Sequence, residues 1–112
     1  MTYKKFDVVR VPFPFTDQDS SKNRPALVLS NTKAFNTPAG HSVMAMITSA
    51  NNSAWPLDHR IEDLKTAGLG AESVVRYKLF TLDHRLVRGV IGKLGAGDQA
   101  ALRTTLHKLL EE

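Results

Sequence analysis

Arg24-Pro25-Ala26-Leu27-Val28-Leu29-Ser30 is the stretch that decides the fold of this chain. Ala26 to Leu29 is an uninterrupted apolar run, the pattern of a strand covered on both faces. Proline has no N–H to give a ladder, so Pro25 fits the first position of that strand. Arg24 then stands where a polar loop becomes rigid sheet, with its backbone held and the space before it open to a ligand. The same place suits an arginine at the solvated rim of a sheet. The surrounding sequence has to decide between the two.

Upstream, Phe6 to Val11 is valine-rich and loosely alternating, which predicts a first strand ending at Pro12. Phe13-Pro14-Phe15 leaves the sheet. Thr16 to Asn23 reads TDQDSSKN, turn formers with no apolar residue, and predicts an exposed loop leading into Arg24. Downstream, Asn31 to Gly40 is a connection with one short helical turn at Thr32 to Phe35, closed by Pro38 and Gly40. Val43 to Ile47 is a third strand that ends on Thr48-Ser49. Turn-forming Ala50-Asn51-Asn52-Ser53 and then Trp55-Pro56 follow it.

Leu57 to Ile61 alternates as an edge strand whose charges discourage sheet-to-sheet pairing. Leu64 to Gly70 is a turn ended by glycine, Ser73 to Tyr77 a strand, and Leu79 to Val87 mixed. Arg88 to Leu94 is a last strand in which Gly89 and Gly92 permit a bulge or a sharp bend. Behind Gly95 and Gly97, with Asp98 near the cap or first turn, Leu102, Leu106, Leu109 and Leu110 recur at helical spacing, so the leucines of a closing helix are expected in the core. Short strands punctuated by Gly, Pro and Asn and closed by one helix predict a mainly β fold, a small and strongly bent antiparallel sheet or barrel.

At 112 residues the chain is read as a single domain, 1–112, large enough for one core. It has no cysteine, which excludes a disulfide scaffold and thiolate zinc sites. His41, His59, His84 and His107 are scattered without ligand-like spacing, so they are read as surface side chains and no metal site or cofactor is expected. The 15 Lys and Arg residues against 11 Asp and Glu give a net charge of +4, a weak pointer to an anionic partner such as nucleic acid. No apolar segment of signal or membrane-spanning length opens the chain, which is read as cytoplasmic with no membrane partner.

Taken together, Asp7-Val8-Val9, Val11-Pro12-Phe13-Pro14-Phe15-Thr16-Asp17, the Arg24–Ser30 stretch and Ile47-Thr48-Ser49 resemble, in order and spacing, the MazF/PemK family of toxin endoribonucleases. Ser73-Val74-Val75-Arg76, Lys78 to Asp83 and Ile91-Gly92-Lys93-Leu94 are similar to its later segments. The resemblance implies an SH3-like small barrel of the CcdB/PemK type with a C-terminal α-helix, usually a homodimer. It also implies a cognate antitoxin partner, DNA contact through the toxin–antitoxin complex, and metal-independent cleavage of single-stranded RNA, in which the ribose 2'-hydroxyl attacks the adjacent phosphate. Arg24 and Thr48 fall on the family's catalytic arginine and threonine. Thr16, Ser21, Lys22, Ser49, Asn51, Trp55, Arg76 and Lys78 are expected to contact RNA.

These residue types suit that chemistry. A guanidinium offers a planar pair of donors to the equatorial oxygens of a pentavalent phosphate, and a threonine hydroxyl adds another. The sequence also departs from part of the family. Some members carry an aspartate two residues beyond the arginine matching Arg76, where this chain has Lys78, or Tyr77 under the other alignment, so the general base is unassigned. His59 or His84 could serve. A glycine common before Asp7 is replaced by Phe6, a change expected to act on the start of the strand. Trp55 could stack a base or cover one end of the barrel, and Arg76 could bind phosphate or stabilise the sheet edge. Two alternative functions remain: a member that binds nucleic acid or antitoxin without cutting, and a CcdB-like gyrase poison acting through the end of the last helix.

Overall fold

Alternate residues of the Arg24 stretch are buried in two different cores. In the computed structural model, which describes residues 2–12 and 23–111, Leu27 and Leu29 join one apolar cluster with Val8, Ile47, Val75 and Leu102. Ala26 and Val28 join another with Val9, Val11 and Met44. An unbroken apolar run is therefore present because both faces of the strand are covered.

Among the described residues the strands are β1 (Asp7–Pro12), β2 (Asn23–Val28), β3 (His41–Ser49), β4 (His59–Arg60), β5 (Ser73–Asp83) and β6 (Gly89–Lys93). They form one antiparallel sheet in the order β4-β5-β3-β2-β1-β6, curled into a half-barrel. Short helical segments are α1 (Thr37–Ala39) and α2 (Leu64–Ala67), and the closing helix is α3 (Ala96–Leu110). The expected mainly β architecture with a C-terminal helix is what forms.

Several boundaries move. β2 already includes Asn23 and Arg24, and Pro25 is its third residue rather than its first. The proline is tolerated because β3 pairs with β2 only from Ala26 onward, so at Pro25 the strand has β1 alone for a neighbour. A wide helical turn at Thr32–Asn36 continues into α1, where Pro38 sits in the first turn and does not stop the helix. Gly40 ends it in the left-handed region, at φ +63°. The expected edge strand shrinks to His59–Arg60, since Leu57 at φ +64° turns the chain before it can pair.

β5 runs unbroken through the mixed segment to Asp83. Its register against β3 slips there: Ala45 faces Leu79 while Met46 faces Arg76, leaving Tyr77 and Lys78 as the extra residues of a bulge. β6 bulges as its glycines suggested, with Val8 opposite Gly92 and Val9 opposite Val90, so that Ile91 is the extra residue. A Cβ on Gly92 would lie 2.3 Å from the Ala67 carbonyl carbon, so only glycine lets α2 approach β6 this closely.

The helix leucines divide. Leu102 is fully buried and Leu106 packs partly on the first core, but Leu110 is 70% exposed, and Leu109 is also exposed. Tyr77 points from the β5 bulge to α3, its hydroxyl 2.6 Å from Thr105 Oγ1. Asp98, in the first turn of α3, is buried and accepts backbone N–H bonds from Glu62 and Asp63, at 3.0 Å to each, and a third contact from His59 Nε2 at 2.7 Å. Burial opposes the charge on Asp98, yet these bonds hold its carboxyl below the usual carboxylate range. Among the described residues no helix is long and apolar enough to cross a membrane.

Candidate active site

The β2–β3 ladder brings the two residues expected to act on phosphate to one place. Ala26 faces Met46 in antiparallel register. Two residues further along each strand, past the last pair, Arg24 comes level with Thr48. Strand alternation puts both on the face that carries Ala26, Val28 and Met44. There they line one open pocket of about 350 Å³. Ser49, Asn52 and Ser73 supply its other polar groups, and Pro25, Met46 and Ile47 its apolar ones.

Thr48 is oriented from the following turn. Asn52 Nδ2 donates to Thr48 Oγ1 at 2.6 Å, which fills one lone pair and leaves the hydroxyl proton to be given elsewhere. The turn is closed by Asn52 N–H on the Ser49 carbonyl at 3.1 Å, while Asn51 N–H donates to Ser49 Oγ at 3.2 Å. Asn51 is exposed and Ser49 lies in the pocket. Asn52 and Ser73 were absent from the sequence-based site. Asn52 sits within a stretch recognisable only as turn-forming, and the ladder pair Ser49–Ser73 that brings Ser73 here is a contact across 24 residues. Among the described residues no acid pairs with Arg24. Thr16, Ser21 and Lys22 lie outside the described residues.

Arg76 was expected to contact RNA phosphate or to stabilise the sheet edge. The residue is 7% exposed and its guanidinium is bound from within. Nε and Nη2 donate to the two Asp58 carboxylate oxygens at 3.2 and 2.9 Å, and Nη2 also donates to the Ser53 carbonyl at 2.5 Å. The bond to Asp58 raises its already high pKa, against the opposing effect of burial. Arg76 therefore ties down the segment from Ser53 to Asp58, which carries Trp55. Lys78 lies beside that indole.

Neither histidine offered as a base reaches the pocket, and neither is a free surface side chain. His59 is held by Asp98 against α3. His84 Nε2 lies 2.7 Å from Ser42 Oγ, with its ring edge-on to Tyr3. Tyr77 faces α3, and burial pushes its hydroxyl pKa up. Among the described residues the pocket contains no carboxylate or imidazole, and no three His, Asp or Glu side chains gather as a metal site. The geometry offers oriented donors for an anion: a guanidinium, a hydroxyl with its lone pair already engaged, and side-chain amide and hydroxyl groups around them.

A family model for PemK-like, MazF-like toxins of type II toxin–antitoxin systems matches residues 4–110. The chain belongs to this family. Its fold is similar to that of crystalline MazF from Deinococcus radiodurans, at 27% identity over 98% of this chain and 97% of that one, with a TM-score of 0.73. A MazE–MazF structure from the same organism aligns at 26% identity over 98% and 96%, with a TM-score of 0.72. An endoribonuclease in complex with its cognate antitoxin from a mycobacterial species shares the fold at 15% identity, covering 97% and 93%, with a TM-score of 0.74. A comparison with curated sequences finds no match. Phe6 has φ +73°, in the left-handed region that glycine enters at least cost, just before β1, so the glycine that the resemblance led one to expect there would fit this backbone.

Proposed function

We propose that this toxin is an endoribonuclease that cuts single-stranded RNA, typically messenger RNA, without a metal. The observation that supports it is the convergence of Arg24 and Thr48 in one pocket, with Asn52 orienting the threonine hydroxyl. In the reaction the ribose 2'-hydroxyl loses its proton to water, its oxygen bonds to the adjacent phosphorus and the bond to the 5'-oxygen breaks, giving a 2',3'-cyclic phosphate and, once the leaving oxygen is protonated, a 5'-hydroxyl. Arg24 takes the charge of the equatorial oxygens and is placed to help deliver the proton that the leaving oxygen needs. Thr48 donates its hydroxyl to the same phosphate. Both act on charge that develops at the transition state, where a fixed donor has most effect. Ser49 and Asn51 are proposed as RNA contacts along the rim.

The MazE–MazF structures from Deinococcus and the mycobacterial endoribonuclease bound to its antitoxin support a cognate antitoxin as partner, acting on this toxin in the cytoplasm. Homodimerisation, and DNA contact through the toxin–antitoxin complex, belong to the same reading. The test is incubation of the purified protein with a long single-stranded RNA in excess chelator, beside Arg24→Ala and Thr48→Ala proteins, with the ends mapped. Site-selective cuts by wild type alone, with cyclic-phosphate and 5'-hydroxyl ends, are expected. Equal cutting by all three proteins would trace the activity to a contaminant, and a folded wild type that cuts nothing would remove the nuclease.

A further inference from the structure

Three residues beyond Asn52, the same loop presents the only tryptophan of the chain. Trp55 is 40% exposed and belongs to neither apolar core. Two cations stand by its ring: Lys78 Nζ lies 4.7 Å from the ring centroid and the Arg76 guanidinium carbon 5.9 Å. The backbone beneath the indole is fastened. Trp55 N–H donates to Asp58 Oδ2, and Asp58 N–H donates to the Trp55 carbonyl, each at 3.2 Å. Arg76 then fixes both ends of this segment through the Asp58 carboxylate and the Ser53 carbonyl. A large aromatic side chain held rigidly in solvent has lost little freedom that binding would still cost, and its face accepts any unpaired base.

The position suits a strand that passes through the Arg24–Thr48 pocket. From Asn52 to Trp55 the chain spans at most about 11 Å, so an RNA bound at Thr48 reaches the indole within a few nucleotides. Arg76 faces Met46, which puts the fastening on the same side of the sheet as Arg24 and Thr48. Among the described residues no carboxylate forms an ion pair with Lys78. Its ammonium is therefore available to a phosphate.

We propose that Trp55 and Lys78 form a nucleotide subsite flanking the Arg24–Thr48 pocket, the indole stacking an unpaired base and Lys78 pairing with a neighbouring phosphate. The Arg76–Asp58 pair is its positioning element. The inference rests on the single-stranded RNA reading above and assigns that substrate a second point of attachment.

Because Trp55 is the sole tryptophan, its emission reports the subsite without background. The probe is a mixed-sequence, fully 2'-O-methylated single-stranded RNA, which binds but lacks the attacking hydroxyl. Saturable quenching of Trp55 is expected. By anisotropy of the labelled probe, Trp55→Ala should weaken binding about tenfold and Trp55→Phe much less, while Lys78→Ala should weaken it and flatten its salt dependence. Arg76→Lys keeps the charge but loses the fork. It should shift the emission of the free protein and raise KM for unmodified RNA more than it lowers kcat.

An emission unmoved by the probe, or a folded Trp55→Ala protein that binds as tightly as wild type, would overturn the subsite, and RNA cleavage by that same wild type would leave the nuclease standing. A saturable, Lys78-dependent response from a protein that cuts nothing would support the subsite and remove the nuclease instead.

Discussion

Arg24 and Arg76 belong to one face of one sheet and are used in opposite ways. Arg76 is buried, and its Nε and Nη2 are committed to Asp58 and the Ser53 carbonyl. A guanidinium taken out of water has to be paired, and once paired it has little left to offer a phosphate. Arg24 is half-buried beside a pocket, level with Thr48, and no described acid claims it. The difference lies in the partners: an arginine fastened to an aspartate is architecture, and an arginine aimed at an open pocket beside an oriented hydroxyl is available for chemistry.

The contrast can be broken most sharply at Arg24. Arg24→Ala should lower kcat/KM for RNA by about a hundredfold or more, the effect of losing one preorganised donor. Its melting temperature should stay close to that of wild type, because no described bond is lost. Denaturation and cleavage measured on one preparation check both halves. A variant that unfolds easily would place Arg24 with Arg76 as a structural residue. Arg76→Met should give the reverse picture, leaving the half-buried Asp58 carboxylate without its ion pair and costing about 3 kcal/mol of stability by urea denaturation. Asp58→Asn, which keeps an acceptor for the guanidinium, should cost less.

These two arginines also show how far the sequence could be read. The strands were legible because burial on two faces leaves an unbroken apolar run at Ala26 to Leu29, and because Gly89 and Gly92 mark a bulge. Arg24 and Thr48 were legible through their family motifs, and the register that joins them follows from antiparallel pairing of adjacent strands. The role of Arg76 was not, because its partners, Asp58 and Ser53, are 18 and 23 residues away and only the folded loop brings them near. His59 was taken for a surface residue for the same reason, since its partner Asp98 is 39 positions further on. Leu109 and Leu110 carry the helical period of the core yet lie at the end of α3, beyond the sheet that buries Leu102. Periodicity marks which side of a helix faces inward, and the length of the layer beneath decides how far along the helix that side is covered.

Asp98 extends the comparison to a charge whose partners are mostly backbone. Its folded pKa is lowered, so its contribution is present above the ordinary carboxylate range and is lost as pH falls through the folded value. Stability should therefore decline on acidification below about pH 4. Asp98→Asn should be less stable at neutral pH by about 2 kcal/mol and should show a flatter decline in acid. Denaturant midpoints across that range measure it. A wild type and variant with parallel pH profiles would show that other carboxylates govern acid unfolding.

The smallest expected effect tests how Thr48 comes to resemble Arg24 in being available. Asn52 donates to Thr48 Oγ1, and an exposed hydroxyl without that bond would rotate among several partners, water included. Asn52→Ala should thus lower kcat by about tenfold, roughly the value of one neutral hydrogen bond, with little change in stability because the side chain is exposed. Asn52→Asp is the more telling substitution. A carboxylate can only accept, so it would draw the Thr48 proton toward itself and away from the phosphate, and it would add a negative charge to the pocket. Its loss should exceed that of alanine, and it should lessen as pH falls and the carboxylate is protonated. If alanine and aspartate were equal at every pH, the direction of the threonine proton would not matter, and Thr48 would contribute shape rather than a hydrogen bond.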